Sequence, residues 1–207
     1  HDWACLPKDL LVAIFDHILT APTAHPSYLK TKAIHMASIV QVCSAWRAVA
    51  LETPIGVCLP AKLPLAARNW ICTLMLRGIE FHAPEHTSPS VTALLSDPRL
   101  IARSGKTIMS IVDAPFDSTW QPRDFPNVQQ LVVWRAGKAR SAWDAHCMVG
   151  CLQLNYLVLA AGFKTLAGLE DWPPSCKRLV WTAPSDSSMS RLSVPFLPSN
   201  FNLQCLS

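Results

Sequence analysis

Leu154-Asn155-Tyr156-Leu157-Val158-Leu159 places apolar residues at its first, fourth and sixth positions. Three other segments share that template: Ile71-x-x-Leu74-x-Leu76, Val128-x-x-Leu131-x-Val133 and Cys176-x-x-Leu179-x-Trp181. Lys106-x-x-Met109-x-Ile111 is a weaker copy, and Leu203-x-x-Leu206 begins another. The middle residues Met109, Leu131, Leu157, Leu179 and Leu206 are 22, 26, 22 and 27 residues apart. Side chains of a strand alternate between faces, so positions four and six point to one side. Each segment therefore reads as a short strand buried on one face, recurring at a nearly constant interval.

Those intervals fall in the range of leucine-rich repeats. Each repeat would supply one strand and a return segment, and stacking would build a parallel sheet on the inside of an arc. Leu74 and Met109 are 35 residues apart, too far for one repeat, so the Pro-rich stretch 83–98 reads as an insertion or as a helix around 91–95. The asparagine expected after each strand is absent, with Gly137 or Gly162 nearby instead. A generic α/β domain with similar strands is the alternative. In the repeat reading, Thr73, Met75, Arg77, Gln130, Val132, Trp134, Tyr156, Val158, Ala160, Arg178, Val180 and Thr182 point away from the core. Gln130, Val132, Trp134, Tyr156, Val158, Arg178 and Val180 form the candidate target-binding face. Trp134, Tyr156 and Arg178 on adjacent strands are of the types enriched at interface hot spots. A register error of one residue would exchange the faces, and a helix or loop of the same chain could also cover them.

The amino-terminal part has a different period. Leu6, Leu10, Leu11, Ile14, Phe15, Ile18 and Leu19, and later Ile39, Val42, Cys43, Trp46, Val49 and Ala50, recur every three or four residues, the spacing of a helix with one apolar face. Residues 6–19 read as one helix, with Pro7 in its first turn and Asp9 favoured by the helix dipole. Two prolines within 20–26 read as a loop. A second helix is expected from Tyr28 or Lys32 to Leu51, ended by Pro54. Helices this short leave apolar surface for a partner to close. Trp46 could instead fill the module's own core, with Arg47 near the negative end of the helix.

Composition limits the function classes. Half of the 207 residues are hydrophobic and 15% are charged, which marks a folded globular chain. A net charge of +4, with scattered basic residues, leaves no nucleic-acid footprint. The apolar run 151–163 is too short to span a bilayer. The chain starts without Met or a signal peptide, and both ends read as cut from a longer protein. The eight cysteines read as buried free thiols in a reducing compartment, which points to the cytoplasm or nucleus.

Chemical sites are sparse. Cys72, His82 and His86, and His146, Cys147 and Cys151, hold soft ligand types but lack paired C-x2-C knuckles. No G-x-S-x-G, Walker or G-x-G-x-x-G motif is present. The expectation is a protein that is not an enzyme and uses no cofactor or metal.

Leu6-Pro7-x-x-Leu10-Leu11-x-x-Ile14-Phe15, followed by Val42-Cys43-x-x-Trp46-Arg47-x-Val49-Ala50, resembles the F-box. Glu52-Thr53-Pro54 resembles the exit of F-boxes in fungal proteins that continue into leucine-rich repeats. Pro198-Ser199-Asn200 and Leu203-Gln204-x-Leu206-Ser207 resemble the consensus of those repeats. The match covers about 50 residues, and its gap from Thr20 to Met36 is about a dozen residues longer than is commonest; loops absorb such insertions at modest entropic cost. The aromatic that often follows the exit is replaced by Pro54-Ile55-Gly56-Val57. The resemblance implies an α/β chain with a helical F-box module at 1–60 and an irregular leucine-rich-repeat solenoid with a short parallel sheet at 61–207. It implies a substrate receptor that docks on the Skp adaptor, and through it a cullin, and holds an unknown target protein for ubiquitin transfer. Leu6, Pro7, Leu10, Leu11, Ile14, Phe15, Val42, Cys43 and Trp46 would be the adaptor-binding residues. The alternative is a leucine-rich-repeat interaction scaffold whose head serves only packing. Neither reading involves nucleic acid or membrane.

Overall fold

The computed structural model describes residues 6–20, 39, 41–60, 63–82, 89–116, 119–135, 141–159, 163–167, 172–182 and 202–206. It mixes helices with a parallel sheet. Helix α1 (Lys8–Thr20) begins where the Pro7 carbonyl accepts from the Leu10 and Leu11 amides. Helix α2 (Ser44–Glu52) starts after Cys43, whose extended backbone (φ −162°, ψ 172°) separates it from the helical pair at 41–42. One continuous helix from Tyr28 or Lys32 to Leu51 is therefore corrected: the chain is extended at Cys43, and beyond that break Trp46 of α2 reaches Phe15. Ahead of it Ile39 is buried and Val42 is exposed. Residues 21–38, including most of the long gap, lie outside the described residues.

Strand β1 (Ile55–Leu59) follows at once, then α3 (Leu65–Ile71), β2 (Leu76–Phe81), α4 (Pro89–Leu95), α5 (Pro98–Ser104) and β3 (Ser110–Phe116). The later strands are β4 (Gln130–Arg135), β5 (Ser141–Asp144), β6 (Tyr156–Leu159), β7 (Phe163–Ala167), β8 (Arg178–Thr182) and β9 (Asn202–Leu206). Seven strands form one sheet in the order β1-β2-β3-β4-β6-β8-β9, and every pair is parallel. Each strand is laid beside its predecessor in chain order, with no reversal. β5 and β7 lie in two return segments and pair in parallel as a second, two-stranded sheet.

A single row fixes the register: Val57, Ile79, Ile111, Leu131, Leu157, Leu179 and Leu203 lie side by side. Ile79, Ile111, Leu131, Leu157 and Leu179 are all buried. This row confirms the template at Val128, Leu154 and Cys176 and shifts three others. The template for β2 is Leu76-x-x-Ile79-x-Phe81, because Ile71 and Leu74 belong to α3 and the turn after it. In β3 it is Ile108-x-x-Ile111, and Met109 is exposed. In β9 the middle residue is Leu203, not Leu206. The third apolar position of β3 slips to Ala114, because Asp113 takes a left-handed φ of 56° and the register shifts between Ile111 and Ala114. Such a bulge adds a residue and bends the strand.

The missing asparagine is replaced by another device. At β3, β4 and β8 the residue just before the first template position donates a side-chain hydrogen bond to a carbonyl ahead of or in an earlier strand. Thr107 Oγ1 donates to Leu76 O (2.7 Å), Asn127 Nδ2 to Lys106 O (2.6 Å) and Ser175 Oγ to Leu154 O (2.7 Å). Buried Ser104 adds a bridge: its hydroxyl donates to Leu74 O and accepts from the Leu76 amide. These bonds satisfy backbone groups that the strand ladder leaves over, where an unpaired buried group would be costly.

Aromatic rings fill part of the core. Trp120, Phe125, Phe116 and Trp143 pack with ring centroids 4.7–6.3 Å apart, and Trp120 Nε1 donates to Pro115 O (2.8 Å). Large rings fill the space between the main sheet and its returns better than aliphatic chains would. The amino-terminal helices join the same core: Leu11 and Phe15 pack with Ile55, Leu59 and the sheet residues. The boundary proposed at residue 60 thus falls after the first strand of the sheet, and the helices form a layer over its β1 end.

Gly105 closes α5 where no side chain fits: a Cβ there would lie 2.5 Å from Ile101 O and 2.8 Å from Asp124 O, both backbone atoms. Gly105→Ala should cost about 1–3 kcal/mol, the range for overpacking. Denaturant unfolding, with Lys106→Ala as an exposed neighbour control, measures it. An unchanged midpoint would contradict this packing.

Candidate functional site

Two surfaces and one titratable cluster are candidates. On the helical layer, the nine residues expected to meet the adaptor fall into three groups by burial. Leu11 and Phe15 are 1% and 0% exposed. They sit one turn apart on the side of α1 that faces β1 and α2, and the Phe15 ring meets Trp46 edge-on at 5.8 Å. They are core residues and leave the candidate contact set. Leu10 and Val42 are 48% and 53% exposed, and Pro7 is also exposed. Leu6, Ile14, Cys43 and Trp46 are half-buried. Leu10 and Leu11 part because consecutive helical residues are rotated by about 100°, so the wide stripe in the sequence cannot lie wholly on one side.

On the sheet, the buried residues Leu131, Val133, Leu157, Leu159 and Leu179 send their neighbours to the opposite face. Gln130, Tyr156 and Arg178 pair in one row, and Val132, Val158 and Val180 in the next. The Arg178 guanidinium lies over the Tyr156 ring, 5.1 Å from its centroid. Trp134 pairs with Pro115 instead and donates through Nε1 to Asp113 O (3.2 Å) across the β3 bulge. Val180 departs from expectation. It is buried at 5% exposure and is corrected from a contact residue to a covered one. Thr73 and Met75 precede β2, so only Arg77 of that trio lies on a strand.

Strict alternation missed Asn155 and Lys177, which are exposed beside Tyr156 and Arg178. The template leaves its second and third positions both outside. The amides at these two positions share one carbonyl: Asn155 and Tyr156 donate to Gln129 O, and Lys177 and Arg178 donate to Asn155 O. Burial of Leu154 and Cys176 at position one was the available signal.

The strongest titratable cluster surrounds Asp97. Its Oδ1 accepts from the Arg99 amide and Arg99 Nε (3.0 Å each), its Oδ2 from Arg99 Nη2 (2.8 Å), and Arg68 Nε lies 3.8 Å away. Hydrogen bonding from the Arg99 side chain, first of all, pulls the carboxyl down to about 2. Burial, with the Asp97 charge second, pushes the neighbouring Cys72 thiol up to about 11. The geometry is that of a helix N-cap for α5, clamped to Asn69 of α3 through Arg99 Nη2 (2.9 Å).

Cys43, Cys58, Cys72, Cys147, Cys151 and Cys176 are free thiols. Burial pushes Cys147 and Cys151 up to about 12 and Cys176 to about 11. These thiols stay protonated near neutral pH, where a thiolate nucleophile or ligand is needed. Among the described residues, no group of three His, Cys, Asp or Glu could hold a metal ion; His86 lies outside them. No helix among the described residues is long and apolar enough to cross a membrane. No family model, curated protein or solved structure matches the chain.

Because the folded Asp97 carboxyl titrates below its ordinary 3.8, its contribution is present above about pH 4. It is lost as the pH falls towards about 2. The Tm difference between the wild type and Asp97→Asn should therefore be widest above pH 4 and shrink as the pH approaches 2. A difference constant across that window in calorimetry would exclude the clamp.

Proposed function

We propose that this chain is a substrate receptor of a cullin–RING ubiquitin ligase, docking on the Skp adaptor through its amino-terminal helices and holding a target protein on an irregular leucine-rich-repeat arc. The reading rests on the F-box-like residues together with one observation. Leu10 and Val42 stand about half exposed on helices whose other sides are sealed into the core. Large apolar side chains held rigidly at a surface are suited to anchor a partner, and a few such anchors dominate an interface. The chain-order parallel sheet supports the second half of the reading, because stacked repeats add strands in that way.

The competing reading is an interaction scaffold without a ligase. Burial of Leu11 and Phe15 favours it, since a helical layer over β1 also seals the end of a stacked core. The two readings differ in what Leu10 and Val42 do.

Leu10→Asp with Val42→Asp should abolish co-elution with purified Skp adaptor. Losing two anchors of roughly 1.5–3 kcal/mol each weakens binding by at least about a hundredfold. Circular dichroism should be unchanged, because both positions are exposed. Leu11→Ala should instead lower stability by about 2–5 kcal/mol. A wild-type chain that does not bind the adaptor, or a folded double variant that binds as well as wild type, rejects the ligase reading.

A further inference from the structure

We draw no further inference here: the strongest candidate, the face of strands β2 to β4 on which Arg77, Glu80 and Met109 are exposed around the paired row Gly78, Ser110 and Gln130, is an unpartnered sheet face, and nothing in the structure shows what covers it.

Discussion

The aligned apolar row from Val57 to Leu203, buried at its five members from Ile79 to Leu179, is the constraint on which the rest depends. In a parallel sheet built in chain order, each strand has only its neighbours to align against. A slip of one residue at any step would turn the following aliphatic side chains into water. Apolar residues at positions one, four and six make that slip costly at β2, β4, β6 and β8. Once the row is fixed, the composition of the opposite face is fixed too. Gln130, Tyr156 and Arg178 come together because Leu131, Leu157 and Leu179 must.

Much of this was legible from the residues themselves. The templates at Val128, Leu154 and Cys176 are located correctly, because their apolar positions are unbroken and face one core. Those of β2, β3 and β9 are displaced for physical reasons. In β2 the end of α3 and the turn after it bring Ile71 and Leu74 into the same core, so their spacing imitates the start of a strand. In β3 the left-handed Asp113 inserts a residue that no period can anticipate. Strand β1 was not seen, since Pro54 and Gly56 disguise Ile55, Val57 and Leu59 as a loop.

The candidate site was legible in part. Residue types marked the amino-terminal stripe and the sheet patch, but not which members are spent on the core. An apolar stripe broader than the contact available to it must be divided, and only packing decides how. Leu11 and Phe15 went to β1, while Leu10 was left outside. Val180 shows the same limit on the sheet, where alternation assigns a face but not whether that face stays open. The charged cluster at Asp97 is a counterexample to reading chemistry from perturbed groups. Its partners all serve the turn between α4 and α5 and the clamp to α3.

The side-chain bonds from Thr107, Asn127 and Ser175 have an evolutionary consequence. Each donor belongs to one unit and its acceptor to the unit before. A duplication or excision that starts just ahead of such a donor carries the donor along and leaves the junction furnished. A breakpoint between the donor and its strand strands a carbonyl at the seam. Strand segments added to or removed from this sheet should therefore be tolerated at those seams more readily than at a breakpoint between donor and strand.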